Sequence, residues 1–486
     1  MAPNIRNIQG DIWPRLPKKY ETFLFFEIGD EKLFKEKLAA FLQFITTAES
    51  AHKVRGDLYN RKKNALMKTM CTNISFSASG LKKLGNNELD QDDLFQGGMY
   101  ADMVTAGLDR DDEWLGEFKG SRGQIDGVFT LAASSEDTVT RHLASVLNPM
   151  FQPPGKTPAA KWLFTQSGAV LNEYDIEHFG WKDGVSQPQI LGLDADPNGD
   201  LCPRNIKPGY IIVGEDGDTQ NPPAWAHDGS FMVFRRLRQL VPEFTQWVVG
   251  QIGDQARDEH KNMKLGVISN MSSRIMGRWP NGISLEEKPA PSDVYEDKAL
   301  PEDNHNLSPE DKALLDSNNF DFTDIKWQDK CPFASHIRKV RPRAERLGPD
   351  GSADDTHAMI RRGISFGPLT ESSEKAGGVT LHDRGLLFVS YQSNLQNGFR
   401  HVQNEWANKV GFPPGKSRNY DGQQPGLDPI IGQWPKGETE SNFISMPRFD
   451  DPRKVERWTL DRTVIAEGGE YFFTPSMSAL KELCGK

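Results

Sequence analysis

The chain is poor in cysteine and has no long apolar segment. Its 486 residues include four cysteines, and none of them forms a C-x-x-C or C-x-x-C-H pair. This spacing argues against a structural zinc site and against a thioether-linked haem. One or two disulfides remain open, with no pairing defined by the sequence. No segment reaches the roughly 18 consecutive apolar residues of a membrane-spanning helix, so no membrane span is expected. The cysteines are Cys71, Cys202, Cys331 and Cys484.

The chain also lacks a basic surplus. It carries 58 Lys and Arg against 68 Asp and Glu, a formal net charge of -10. No nucleic-acid partner is expected, because little positive charge is available to displace counterions from phosphates. The first residues, MAPNIRNIQGDIWP, do not have the charged-then-apolar pattern of a signal peptide. We expect an extracellular protein in its mature form, without its leader, and a cytoplasmic protein is the alternative.

Strand–helix units recur in both halves of the chain, which also has 27 Phe and 11 Trp to build a core. Each unit has a short apolar segment that predicts a strand, followed by apolar residues at helical spacing. Ser134 or Ser135 fits the N-cap of one of these helices. The recurrence predicts an α+β fold with a duplicated domain. The predicted strands are Phe23–Ile28, Val128–Ala132, Phe231–Phe234 and Leu386–Tyr391.

A polar stretch rich in Pro and Gly, from Asp194 to Asp228, fits a connection between two domains. We therefore predict an N-terminal domain over residues 1–222 and a C-terminal domain over residues 223–486. Residues 286–330 are acidic and contain Pro, which predicts a long surface insertion in the second domain.

The first chemical motif is GWKDGVSQP, residues 180–188, in which two glycines bracket Asp183. Glycine permits close approach of the backbone to a flat or charged ligand. The preceding segment predicts a strand, so Asp183 is expected at a strand-to-loop junction. The alternative is a turn-stabilising Asp, because Asp-Gly is a common turn dipeptide.

The second motif is CPFASHIRKVRPR, residues 331–343, in which His336 precedes several basic residues. A neutral imidazole that binds haem iron, with cations beyond it for the two propionates, makes physical sense of this pattern. The alternatives are a structural histidine and a solvent-facing basic cluster.

The third motif is MIRRGISFGP, residues 359–368, an alternating strand that begins with Arg361 and Arg362. One of two adjacent strand residues faces inward. An inward Arg needs an anion or a polar ligand, since burying an unpaired charge is costly. The alternative is a salt bridge to a buried carboxylate.

Together and in this order, the three motifs resemble the dye-decolorizing peroxidase family. The G-x-x-D-G signature of that family stands here as residues 180–184, its proximal histidine motif as residues 335–339, and its distal arginine strand as residues 361–367. Asp428 in GLDPIIG resembles the carboxylate that partners the histidine, and the opening NIQGDIWPRLPKKYETFLFF resembles that of fungal members.

The resemblance implies two ferredoxin-like domains with haem b in the C-terminal half. It implies that His336 is the iron ligand, that Asp428 accepts the other ring N–H, and that Asp183 and Arg361 are the catalytic residues. The implied partners are hydrogen peroxide and aromatic reducing substrates such as dyes and phenols, and the oligomeric state is not encoded. The remaining haem contacts expected are Gly184, Val185, Ser186, Arg341, Pro342, Arg343, Leu386 and Phe388.

Trp406 lies in a predicted helix that follows the strand Leu386–Tyr391. Because the family often passes electrons through a surface Trp or Tyr, Trp406 is the candidate surface radical, with ordinary packing as the alternative. Two other functions are open for the whole chain. A haem- or iron-handling protein shares His336 but leaves Asp183 and Arg361 without a role. A hydrolase with paired carboxylates leaves His336 and the basic cluster unexplained.

Overall fold

The computed structural model describes most of the chain, and the statements below concern those residues. They are residues 2–60, 68–86, 88–89, 93–105, 107–121, 123–172, 175–194, 205–253, 265–289, 309–315, 317–322, 328, 330–343, 355–414, 423–448 and 454–485.

The strands in these residues alternate with helices along the chain. The strands are β1 (Tyr20–Ile28), β2 (Met70–Phe76), β3 (Gly127–Ala133), β4 (Ala160–Ala169), β5 (Gln189–Ile190), β6 (Asn205–Ile206), β7 (Ser230–Gln239), β8 (Ile360–Arg361), β9 (Ile364–Phe366), β10 (Gly385–Gln392), β11 (Phe443–Pro447), β12 (Val455–Thr459) and β13 (Val464–Thr474).

The α-helices are α1 (Glu31–Phe41), α2 (Ala48–Asn60), α3 (Ala78–Lys83), α4 (Asp93–Tyr100), α5 (Glu136–His142), α6 (Asn148–Phe151), α7 (Val241–Ile252), α8 (Leu265–Met276), α9 (Pro309–Leu314), α10 (His336–Val340), α11 (Ser372–Gly377) and α12 (Met477–Leu483). Shorter 3-10 or π-helical turns are Leu42–Phe44, Ala101–Thr105, Asp111–Glu113, Gly116–Lys119, Leu143–Leu147, Pro208–Tyr210, Ala224–Ala226, Gln396–Arg400 and Val402–Ala407.

The main strands of each half have the same arrangement. The order across the sheet is β4-β1-β3-β2 in the first half and β13-β7-β10-β8 in the second, with β9 also paired to β10. All of these neighbours are antiparallel. Both orders follow the ferredoxin-like β-α-β-β-α-β pattern, if β8 and β9 count as one interrupted strand. The prediction of an α+β fold with two ferredoxin-like domains is confirmed, and the boundary near residue 222 stays a prediction.

The two sheets meet at both ends. At one end, Phe76 of β2 pairs with Phe473 of β13. At the other end, β4 approaches β9 closely at Gly168, where a Cβ atom would lie 2.5 Å from the carbonyl oxygen of Ser365. A side chain at Gly168 would separate the strands, so glycine is required for this contact. The sheets therefore enclose one shared interior.

Aromatic side chains from both halves fill that interior. Phe234 of β7 packs against two rings of β1, with centroid distances of 4.9 Å to Phe23 and 5.1 Å to Phe25. All three residues are fully buried. Edge-to-face pairs at this distance stabilise a core beyond the area that they bury. The two domains therefore share a hydrophobic core, which fixes their mutual position.

The predicted strand–helix units are all present, as β1–α1, β3–α5, β7–α7 and β10 with its following helical turns. Ser135, one of the two candidate caps, begins α5 by accepting a hydrogen bond from the Thr138 amide at 3.3 Å. No disulfide joins the described cysteines, Cys71, Cys331 and Cys484, and Cys202 lies outside the described residues. No helix of the described residues is long and apolar enough to cross a membrane.

The prediction that residues 286–330 form only a surface insertion is wrong for their described part. Phe320 and Phe322 are buried, and they join a small apolar cluster with Trp279 and Ile283. Tertiary packing explains the difference, because an acidic composition indicates exposure only on average and the apolar residues of this segment can still be buried. Residues 290–308, 316, 323–327 and 329 lie outside the described residues.

Candidate functional site

One large cavity collects most of the residues that the sequence motifs single out. It is lined by residues from the loop after β4, from α8, from the segment around α10, and from β8 and β10. Asp428 and Pro342 do not line it, although Asp428 contacts a residue that does and Pro342 is buried next to two others. The predicted residues that line the cavity are Asp183, Gly184, Val185, Ser186, His336, Arg341, Arg343, Arg361, Leu386 and Phe388.

His336, the first residue of α10, is oriented by a buried carboxylate. Its Nδ1 lies 2.9 Å from Oδ2 of Asp428, whose side chain is fully buried. The other oxygen of Asp428 accepts the main-chain N–H groups of Ile430 and Ile431 at 2.8 and 2.9 Å. Because a carboxylate accepts hydrogen bonds, Nδ1 carries the proton and the lone pair lies on Nε2. The histidine therefore has a fixed tautomer and a nitrogen available as a ligand.

Lys339, the last residue of the proximal histidine motif, is bonded to backbone carbonyl groups near this pair rather than exposed. Its buried Nζ donates to the carbonyl oxygens of Lys409, Phe412 and Gly426 at 2.7–2.8 Å. Burial lowers the pKa of Lys339 to about 7, and the charge of Asp428 opposes the decrease. The lysine thus connects α10 to the segment that leads into Asp428.

Asp183 and Arg361 are in contact although 178 positions separate them in the sequence. Nη1 of Arg361 lies 3.1 Å from Oδ1 of Asp183, which also accepts the Gly184 amide at 2.6 Å. Gln187 exchanges two hydrogen bonds with the backbone of Arg361, at 3.0 and 3.1 Å. The loop after β4 is thereby fixed against β8, with an acid and a cation side by side on the cavity wall.

The side chains of Arg361 and Arg362 point to opposite sides of their strand, as the alternation predicts. Arg361 faces the cavity. Arg362 points the other way, and its guanidinium donates to the carbonyl oxygens of Asp11 and Ile12 at 2.8 and 3.0 Å. Arg361 does form a salt bridge, with Asp183, but that carboxylate is partly exposed, so the alternative of a buried carboxylate partner is not met.

Several polar residues on the cavity wall were not found from the sequence, among them Arg278 and Glu177. Arg278 is buried and donates to Oγ of Ser186 at 2.9 Å and to the carbonyl oxygen of Gly282 at 2.7 Å. Neither residue lies in one of the three motifs, and only the tertiary fold brings them to the cavity. The segment MGRWPNG around Arg278 offers no recognisable signal.

The pH dependence of stability should reveal Glu177. Burial raises the pKa of Glu177 to about 7, and the nearby charge of Asp183 adds to the increase. The folded state therefore favours the neutral form of the Glu177 carboxyl. The contribution of this group to stability is complete below its pKa in the unfolded chain, and it is lost as the pH rises through 7. We expect the free energy of unfolding to fall by on the order of 1–3 kcal/mol between pH 5 and pH 8 from this group alone. Calorimetric midpoints of the wild type and Glu177→Gln across this range measure the difference, and parallel curves would contradict the assignment.

The apolar wall of the cavity includes alternate residues of β10. Leu386 and Phe388 line the cavity, whereas Leu387 and Val389, which alternate with them, are fully buried in the core on the other face. This alternation is the pattern expected of a strand between two apolar environments. The cavity is further lined by the apolar residues Phe179, Val185, Leu237, Met276, Ile337, Val340, Met359, Phe399, Val402, Ile430, Ile431 and Val464.

Trp406 is not at the surface, and the expectation that it is partly exposed is wrong. Only 1% of the residue is accessible. Its ring stacks on Phe412 at 5.3 Å and packs edge-on against His357 and His401 at 5.2 and 5.3 Å. The helical turn Val402–Ala407 directs the side chain of Trp406 inward. The spacing of apolar residues alone could not distinguish this buried position from one at the edge of the core. Packing is the role that these contacts support, and direct contact with a bulky dye is not available to this side chain.

Truncating Trp406 should therefore destabilise the protein. We expect Trp406→Ser to cost about 3–5 kcal/mol of unfolding free energy, because it leaves a cavity among three rings. Trp406→Phe should retain most of that stability. The measurement is the thermal midpoint of both variants, with the turnover of a small phenol and of a bulky dye. A stable Trp406→Phe protein that loses only the activity on the bulky dye would instead indicate that Trp406 transfers electrons.

The residues of the cavity fit haem. A haem group requires flat apolar walls, an imidazole ligand for its iron and cationic partners for its propionates. The cavity offers apolar walls, the available Nε2 of His336, and the guanidinium groups of Arg341 and Arg343. Fold and site together define the class of α+β haem proteins with two ferredoxin-like domains.

Comparison with known proteins gives the family. The family model described as "DyP dimeric alpha+beta barrel domain" matches residues 7–156, and that described as "Dyp-type peroxidase, C-terminal" matches residues 210–412. The chain is 33% identical to a dye-decolorizing peroxidase of Exidia glandulosa over 98% of this chain and 86% of that protein. A solved structure of a point mutant of the dye-decolorizing peroxidase from Pleurotus ostreatus has a TM-score of 0.85 at 33% identity, over 99% of both chains.

Another solved structure, a dye-decolorizing peroxidase in complex with 2,6-dimethoxyphenol, has a TM-score of 0.81 at 32% identity and covers 100% of both chains. This chain belongs to the family of dye-decolorizing peroxidases, which are haem peroxidases. The predicted family and the predicted peroxidase activity are confirmed, and the hydrolase and iron-handling alternatives are set aside.

Proposed function

We propose that this peroxidase binds haem b through His336 and reduces hydrogen peroxide with Asp183 and Arg361, while it oxidises dyes, phenols and other aromatic reductants. The observation that carries the proposal is one cavity lined both by His336, which Asp428 orients from behind, and by the Asp183–Arg361 pair. The phenol bound by the related peroxidase supports the substrate class.

His336 would ligate the iron through Nε2. Asp428, which accepts the Nδ1 proton at 2.9 Å, makes the imidazole a stronger donor and favours higher oxidation states of the metal. Arg341 and Arg343 line the cavity, where Arg341 donates to Asp355 at 2.5 Å and Arg343 to the carbonyl oxygen of Phe320 at 2.7 Å, and they would pair with the propionates. Leu386 and Phe388 would exclude water from the macrocycle, and Gly184, Val185 and Ser186 would contact it from the loop that carries Asp183.

When bound, haem supplies the iron that takes up peroxide and stores the oxidising equivalents left by O–O cleavage. Asp183 would move a proton from one oxygen of hydrogen peroxide to the oxygen that leaves, as a general acid–base catalyst. Its Oδ1 is engaged by Gly184 and Arg361, so Oδ2 is the oxygen available for that transfer. Arg361 stabilises the negative charge that develops on the leaving oxygen.

A visible spectrum of the purified protein tests the proposal. We expect a Soret band, and a rapid change of that band when one equivalent of peroxide is added, followed by its return when a phenol is supplied. A protein with a Soret band that does not respond to peroxide would contradict the catalytic part of the proposal. A protein that takes up no haem would contradict all of it.

A further inference from the structure

Glu177 lies six residues before Asp183 and binds the turn that leads to it. Its Oε2 accepts the Phe179 amide at 2.9 Å, and its Oε1 accepts the Trp181 amide at 3.0 Å. The Glu177 amide donates to the carbonyl oxygen of Trp181 at 2.9 Å. One side chain and its own backbone therefore close the turn over residues 177–181.

The same carboxylate connects the turn to the C-terminal domain. Oε2 also accepts Nε2 of Gln239, the last residue of β7, at 2.7 Å. The backbone N–H of Gln239 in turn donates to the carbonyl oxygen of Arg384 at 2.8 Å. The turn is thus attached to a central strand of the second sheet, and a displacement of Glu177 would be transmitted to the residues that follow it.

The residues between Glu177 and Asp183 have anchors of their own on a neighbouring segment. The Lys182 amide donates to the carbonyl oxygen of Pro280 at 2.9 Å, and Nε1 of Trp181 donates to that of Arg278 at 2.7 Å. These bonds use other partners than those of Glu177, and Glu177, Trp181 and Lys182 all line the cavity. Loss of the Glu177 bonds alone should therefore shift the loop without unfolding it.

We propose that Glu177 is the positioning residue for Asp183: it orients the acid–base carboxylate by holding the main chain of its turn. Glu177 needs no contact with peroxide or haem for this role. The inference rests on the proposed catalytic role of Asp183, and its test is arranged so that the two can fail separately.

Glu177→Gln is the informative substitution, because an amide has the same shape as a carboxylate but only one acceptor oxygen. The carboxylate accepts three N–H groups on its two oxygens. In the variant, either the Trp181 amide or the Phe179 and Gln239 donors would face an NH₂ group. An unsatisfied donor at this position costs more than a hydrogen bond is worth, so the turn should rearrange.

A double-mutant cycle with Asp183→Asn tests the proposal. At pH 8, where the Glu177 carboxyl is ionised, we expect Glu177→Gln to slow the reaction of the haem-loaded enzyme with peroxide on the order of 10-fold. In the Asp183→Asn background the same substitution should have little effect, because the group that it positions is absent. A loss of equal size in both backgrounds would overturn the proposal, since it would mean a general structural effect.

Hydrogen exchange gives a readout that does not depend on activity. The amides of Phe179 and Trp181 should exchange on the order of 10-fold faster in Glu177→Gln than in the wild type. The matched control is Gln403→Met, which removes another buried amide from the cavity wall without touching this turn. Unchanged exchange at both amides would also overturn the proposal.

Gln239→Leu provides a second route if Glu177→Gln folds poorly, because it removes one donor and keeps the carboxylate. It should give a smaller loss of rate that also disappears in the Asp183→Asn background. If Asp183→Asn alone leaves the rate unchanged, the proposed function of Asp183 fails. If Asp183→Asn slows the reaction but neither Glu177→Gln nor Gln239→Leu does, only the positioning role fails.

Discussion

A His336→Ala variant is expected to be purified without stably bound haem. The side chain supplies the only nitrogen ligand that the proximal motif predicts, and its orientation is fixed by Asp428 at 2.9 Å. Without it, the apolar walls and the propionate partners remain, but the iron loses its bond to the protein. The measurement is the ratio of Soret to protein absorbance after reconstitution with haem and gel filtration, which should fall to nearly zero.

His357→Ala is the matched control, because His357 also lines the cavity and is buried. Its Nδ1 lies 2.6 Å from the carbonyl oxygen of Asn397, so it has a structural partner rather than a carboxylate. This control should keep its Soret band. A His336→Ala protein with a full Soret band and normal peroxide reactivity would contradict the assignment of His336 as the ligand.

The fold was predictable because the apolar pattern of each predicted strand agrees with the place of that strand in the folded core. Each predicted strand has a core face of large apolar residues, as in β10, where Leu387 and Val389 are fully buried. The duplication follows from strand–helix units at comparable places in both halves. The order of the strands is a tertiary property, and so is the contact of β4 with β9 at Gly168, which no local pattern encodes.

The candidate site was predictable where its residues lie in short motifs, and only there. Asp183, His336 and Arg361 were found because glycines, basic residues and strand alternation surround them. Glu177 and Arg278 were missed because their importance lies in which backbone groups they contact after folding. Trp406 was misplaced because the surface role came from the family resemblance, whereas its spacing from Phe399 and Val402 puts it on the face of the helix that is buried.

Asp183→Asn is expected to keep haem and to slow the reaction with peroxide about 10²–10⁴-fold, the usual contribution of a general acid–base group. Asparagine is nearly isosteric, and its carbonyl oxygen can still accept the hydrogen bonds that Gly184 and Arg361 donate to Oδ1 at 2.6 and 3.1 Å. The amide cannot carry a proton between the two peroxide oxygens. The variant therefore separates proton transfer from the positioning of Arg361, which should be unaffected.

The measurement is the second-order rate constant from stopped-flow absorbance in the Soret region, at several peroxide concentrations. Asp321→Asn is the matched control, because Asp321 is another acid that lines the cavity and lies outside the G-x-x-D-G motif. Its rate should remain within a few-fold of the wild type. If Asp183→Asn reacts as fast as the wild type, then Arg361 or a water molecule transfers the proton. Asparagine keeps the shape of the side chain but cannot carry a proton, so an unchanged rate would show that Asp183 does not take part in the transfer.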